Sequence, residues 1–145
     1  MRIVLDTNTL VSGIISAGGP PRRLLDGART RAFELYSSAT LLAELQDVLL
    51  REKFATRLAN AGLTPHSIVR ELHRIAYMVT PFSVPRVVEN DPDDDHVLAC
   101  AVAAQSDLIV SGDKHLHSLG GVYNNIRIVR PSEAVKIIFD WADGD

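Results

Sequence analysis

Four sets of carboxylates stand where the sequence allows them to meet. Asp6 ends the short apolar run Ile3-Val4-Leu5, and Asp113 follows Leu108-Ile109-Val110 by way of Ser111-Gly112. Both runs read as buried strands of a parallel sheet, and open parallel sheets bind ligands beyond the carboxyl ends of their strands. A third source is Asp93-Asp94-Asp95, just after Asp91-Pro92, and a fourth is Glu44, set among Leu41, Leu42, Leu45, Val48 and Leu49. Carboxylates crowded together repel one another and rise in pKa unless a cation neutralises them. All-oxygen ligation suits Mg2+ or Mn2+, and a bound ion of this kind can lower the pKa of a water to make a nucleophile. Phosphodiester hydrolysis is the chemistry that such a site suits best.

Taken singly, each acid has a structural explanation. Asp6 before Thr7-Asn8 could make a turn, Asp113 could cap a short helix, and acids in a first helical turn answer the helix dipole. Glu44 and Asp47 could form a solvated stripe. The metal reading therefore rests on convergence. His115 and His117 stand beside Asp113 and Lys114, where a histidine can ligate metal, act as a base or touch phosphate. His96 reads as a surface residue or ion-pair partner. Trp141 and the three tyrosines form no stacking platform for single strands.

The elements that must position these acids alternate along the chain. Strands are expected at Ile3–Leu5, Phe33–Tyr36, Leu108–Val110 and Ile126–Val129, with helices between them. Pro20-Pro21 opens one helix and Ala39–Leu50 forms the next, carrying Glu44. Another starts at Pro65, with Ile68, Val69, Leu72 and Ile75 on one face. Asp91 as N-cap and Pro92 at the first helical position start a fourth, and Pro131 starts the last. Thr80–Asn90, with Pro81 and Pro85, reads as a connector with at most a short edge strand. The expectation is a three-layer α/β/α fold, a central mostly parallel sheet flanked by helices, forming one domain over residues 1–145.

Composition agrees with a folded domain: 145 residues, 46% hydrophobic and 23% charged. Cys100 is the only cysteine, which excludes an internal disulfide and a cysteine-rich zinc site. The start MRIVLDTN carries neither a signal-peptide core nor a membrane span, so a cytoplasmic protein is expected. A net charge of -3 does not favour nucleic-acid binding as a whole. Placement can override the sum, and Arg22, Arg23, Arg29 and Arg31 form a group that could meet phosphate.

Four segments in order resemble the PIN-domain family over nearly the whole chain: Val4-Leu5-Asp6-Thr7-Asn8, Glu44 in its helix, Asp91-Pro92-Asp93-Asp94-Asp95 opening an apolar helix, and Val110-Ser111-Gly112-Asp113-Lys114. Within it the chain is similar to the VapC-like toxins of bacterial and archaeal toxin-antitoxin systems. The resemblance implies that Asp6, Glu44, Asp94 and Asp113 are the catalytic and metal-binding quartet. Asn8, Ser111, Asp91 and Asp95 would support the site or touch substrate, and Arg22, Arg23 and Lys114 are candidates for RNA contact. It also implies RNA as substrate, a small antitoxin partner, a homodimer or higher homo-oligomer, and in-line attack by water activated at Mg2+ or Mn2+, leaving a 5'-phosphate. Helical spacing alone does not separate Asp94 from Asp95; the family pattern selects Asp94. Two other functions remain at this point: a catalytically silent PIN fold that binds RNA or assembles, and a phosphatase of the haloacid dehalogenase type. The second wants another aspartate two residues after Asp6, where this chain has Asn8.

Overall fold

Strands covered by helices on both faces should be apolar without alternation, and the candidates Ile3–Leu5 and Leu108–Val110 obey this rule, whereas Glu34 and Arg127 interrupt the other two. The computed structural model describes residues 1–84, 86 and 92–140. Its sheet contains β1 (Arg2–Leu5), β2 (Glu34–Ser37), β3 (Tyr77–Met78), β4 (Leu108–Val110), β5 (Val122–Tyr123) and β6 (Ile126–Val129), in the order β3-β2-β1-β4-β6-β5. All neighbours are parallel except β5 and β6.

Eight α-helices flank the sheet among the described residues: α1 (Thr7–Ile15), α2 (Pro20–Arg29), α3 (Ala39–Leu49), α4 (Glu52–Asn60), α5 (Pro65–Ile75), α6 (Pro92–Ala104), α7 (Lys114–His117) and α8 (Pro131–Val135), which passes into a π-helical turn at Lys136–Asp140. Side chains along β1 and β4 alternate between two cores. Ile3, Leu5, Leu108 and Val110 pack with α1 to α5 and α8, whereas Val4 and Ile109 pack with Val97, Leu98 and Ala101 of α6 and Leu116 of α7. This is the three-layer α/β/α arrangement expected from the sequence. Cys100 is fully buried in the second core, where desolvation pushes its thiol up to about 12.

Several helix starts are set locally. Ser38 accepts a hydrogen bond from the Leu41 amide, and Thr64 forms a reciprocal capping box with Ser67. Pro20, Pro65 and Pro131 occupy first-turn positions, where a missing N–H costs nothing. Four elements depart from the expectation. Helices α1 and α4 and the two-residue strands β3 and β5 were not marked by the apolar pattern. β5 exists because Asn124 and Asn125, with φ of 48° and 65°, close a two-residue hairpin onto β6. The expected cap Asp91, and Trp141 in the tail, lie outside the described residues.

Gly13 lets α1 and α2 approach closely: a Cβ there would lie 2.7 Å from the Pro21 carbonyl oxygen and 3.2 Å from its carbon. Helix propensity favours Gly13→Ala by about 1 kcal/mol, but the obstacle is backbone, so packing should win. A net destabilisation of about 1–3 kcal/mol is expected by urea denaturation, as for other overpacked sites. A more stable variant would show that α1 and α2 separate at little cost.

Candidate functional site

The strand order places the site. The chain runs from β1 to β2 and β3 on one side and then crosses to β4 on the other side of β1, so the crevice beyond the carboxyl ends of β1 and β4 is a topological switch point. Asp6 and Asp113 follow those two strands. Register pairs Leu5 with Val110, and the Asp6 amide donates to the Val110 carbonyl oxygen at 3.1 Å. Hydrogen bonding thus fixes the Asp6 backbone beside the end of β4.

Asp6 is also the N-cap of α1: its Oδ1 accepts the Thr9 amide at 2.8 Å. The residue is only 4% exposed. Burial is the main reason that its carboxyl lies above the usual range; hydrogen bonds from Ser111 and Thr9 pull the other way, and the charge of Asp113 adds to the rise. Ser111 is fully buried and links the two acids, since its Oγ accepts the Asp113 amide at 2.9 Å and its side chain bonds to Asp6. Asp113 in turn caps α7, its Oδ1 accepting the His115 amide at 2.7 Å. The turn and cap explanations for these acids are therefore correct as far as they go. Both residues do local structural work and still converge.

The other two acids arrive from helices. Glu44, half-buried in α3, and Asp94, buried in the first turn of α6, line the same pocket as Asp6 and Asp113. The pocket measures about 220 Å3, with Thr7, Asn8 and Arg51 on its border and Val48 and Val97 as apolar wall. Asp95 is as buried as Asp94, and of the two only Asp94 lines this pocket. Asp94, Asp113 and His115 each offer a ligand atom, and these atoms lie within 4.8 Å of one another.

The remaining candidates are dispersed. Asn8 is exposed at the pocket border, and Lys114 is exposed at the start of α7. Arg22 and Arg23 line a separate hollow with Gly18, Gly19 and Pro20; Arg22 pairs with Asp26 at 3.4 Å, and Arg23 lies over the Phe139 ring at 4.5 Å. Arg51, which follows α3 and precedes α4, was not singled out from sequence. It sits in no motif, and only the fold shows that it borders the acidic pocket.

A sequence profile of the PIN domain matches residues 2–115. The chain belongs to the PIN-domain family. An uncharacterized protein of Methanocaldococcus jannaschii is 28% identical over 128 residues, covering 82% of this chain and 75% of that protein. Among solved structures, a chain in the crystal structure of VapBC2 from Rickettsia felis, bound to a DNA fragment from their promoter, aligns with a TM-score of 0.59 and 17% identity. The alignment covers 90% of this chain and 98% of that one, and at this identity the likeness shows the fold. In this PIN domain the acidic pocket lies within the matched span, every one of its carboxylates included.

Asp6→Asn separates charge from capping, because asparagine caps a helix about as well as aspartate. In chelator-treated protein at neutral pH the variant should be more stable, by about 0.5–2 kcal/mol if it resembles other stabilising changes. A raised folded-state pKa means that the ionised carboxylate costs stability above that pKa. The cost should fade as pH drops through it and vanish below the ordinary value of 3.8. Thermal melts across this range check both claims, and a less stable variant at neutral pH would contradict them.

Proposed function

We propose that this PIN domain is a divalent-metal-dependent ribonuclease, with Asp6, Glu44, Asp94 and Asp113 as the acidic set that holds Mg2+ or Mn2+. The observation that carries the reading is the meeting of these four carboxylates in one pocket from four different elements. The donor set fits a hard divalent cation: it is rich in carboxylate oxygen, and burial together with the neighbouring acid raises the Asp6 carboxyl. When bound, the ion would activate water and offset charge on a phosphate.

The chain's own residues supply the rest. Ser111 orients Asp6 and Asp113 against each other, and caps on α1 and α7 prevent either carboxylate from swinging away. Val48 and Val97 keep one wall dry, which strengthens electrostatic interactions in the pocket. Arg51, at the border, is the cation best placed to meet a phosphate beside the acids. By contrast, Arg22 and Arg23 border a different hollow and are engaged by Asp26 and Phe139, so they would serve RNA only remotely from the acids.

Likeness to a chain of the VapBC2 complex supports a further step: the protein acts as the toxin of a toxin-antitoxin pair, with a small antitoxin as partner. A homodimer or higher homo-oligomer as its own assembly belongs to the same proposal. Among the described residues, no helix is long and apolar enough to cross a membrane, in keeping with a cytoplasmic role.

Purified protein incubated with total RNA should cleave only with added Mg2+ or Mn2+, and chelation should stop it. Asp94→Asn should lower the rate roughly a hundredfold or more, as removal of one preorganised charge-stabilising group does elsewhere. Asp95→Asn should keep most activity. Cleavage that survives chelation and repurification, or equal loss in both variants, would overturn the proposed roles.

A further inference from the structure

The acidic pocket has a neighbour that is not an oxygen donor. His115 and His117 both lie on α7, and their surroundings differ. The His117 Nε2 is 2.6 Å from the Ser111 carbonyl oxygen, so this nitrogen is a donor engaged in holding α7 against the end of β4. The His115 Nδ1 has no such bond. It lies 3.4 Å from Asp113 Oδ1, but that oxygen is already directed at the His115 amide at 2.7 Å, and Nδ1 makes no hydrogen bond while shielded from solvent.

A shielded ring nitrogen that makes only this long approach to a carboxylate is poorly satisfied, and a bound cation could use its lone pair. Asp94 and Asp113 are the neighbours that could share a ligand with this ring, and one ring nitrogen of His115 and one oxygen of each acid already lie within 4.8 Å of one another. Short helix α7 holds the ring there. Its N-terminus is capped by Asp113, and the Ser118 hydroxyl bonds back to the His115 carbonyl oxygen at 2.6 Å.

We propose that His115 supplies a nitrogen ligand at the Asp94–Asp113 end of the pocket, so that the site takes a first-row transition-metal ion such as Mn2+ in preference to Mg2+. The inference rests on the metal-site reading above. Imidazole favours transition ions, whereas Mg2+ takes oxygen ligands and keeps its waters, so one nitrogen in an otherwise carboxylate set tilts selectivity without changing the fold.

The test uses the full chain, freed of metal by chelation and titrated with Mn2+ or Mg2+ alone. Electron spin-echo spectroscopy of the Mn2+ complex should show modulation from a directly bound histidine 14N. That modulation should be lost in His115→Gln and kept in His117→Gln. Calorimetry should show tighter binding of Mn2+ than of Mg2+. His115→Gln should weaken Mn2+ by at least the roughly tenfold that loss of even an outer-sphere partner costs, leaving Mg2+ nearly unchanged. Mn2+ bound without 14N coupling, or with coupling that persists in folded His115→Gln, would overturn the role of His115 while leaving the carboxylate site intact. If His115→Gln fails to fold, the wild-type spectrum and its Mn2+ to Mg2+ affinity ratio decide alone, and equal affinities count against the proposal. Failure of both ions to bind the wild-type chain would remove the metal-site reading itself.

Discussion

A carboxylate shut away from water at the junction of a strand and a helix is expensive to keep, and Asp6 is such a group. Its backbone is fixed by the bond to Val110, its side chain by the Thr9 amide and by Ser111, and its neighbour Asp113 carries the same charge. Hydrogen bonding lowers the cost without removing it, because desolvation remains the dominant influence and raises the carboxyl. Much of the local structure follows from this group. α1 starts where Asp6 caps it, and β4 ends where Ser111 can reach both acids.

The sheet order extends that constraint to the whole molecule. With β1 between β2 and β4, the helix after β2 and the helix before β4 deliver Glu44 on α3 and Asp94 on α6 to the same crevice. No two of the four acids belong to the same secondary-structure element, so the pocket depends on the tertiary fold. This is the usual placement of ligand sites in open parallel sheets, and it explains how a chain of net charge -3 can still concentrate negative charge at one point. It also makes local stability and site electrostatics inseparable, since Asp6 and Asp113 are caps and pocket residues at once.

What could be read from the sequence follows from burial. β1 and β4 show as apolar runs, β2 and β6 as shorter apolar stretches interrupted by Glu34 and Arg127, and α2, α3, α5, α6 and α8 were visible through their Pro starts or apolar spacing. α1 was hidden because Asp6-Thr7-Asn8 suits a turn as well as a helix start; only the Thr9 amide bonded to Asp6 settles the choice. α4 buries just Phe54 and Leu58, too little to set a pattern. The strand β3 is two exposed residues, and β5 depends on a left-handed Asn124-Asn125 turn, a weaker signal than Asn-Gly. Among site residues, Asp6, Glu44 and Asp113 were legible because an acid stood out against apolar neighbours. The choice of Asp94 over Asp95 rested on the family pattern; the two are equally buried, and Asp94 is the one that lines the pocket. Arg51 carried no signal, because its relevance is purely three-dimensional.

The central claim is that the four carboxylates form a divalent-metal site. Anomalous scattering from a crystal grown with Mn2+ addresses it directly. The account requires a strong manganese peak inside the pocket, within coordinating distance of carboxylate oxygens, at roughly 2.0–2.6 Å for hard oxygen ligands. No peak there at saturating Mn2+, or peaks confined to other parts of the surface, would contradict it.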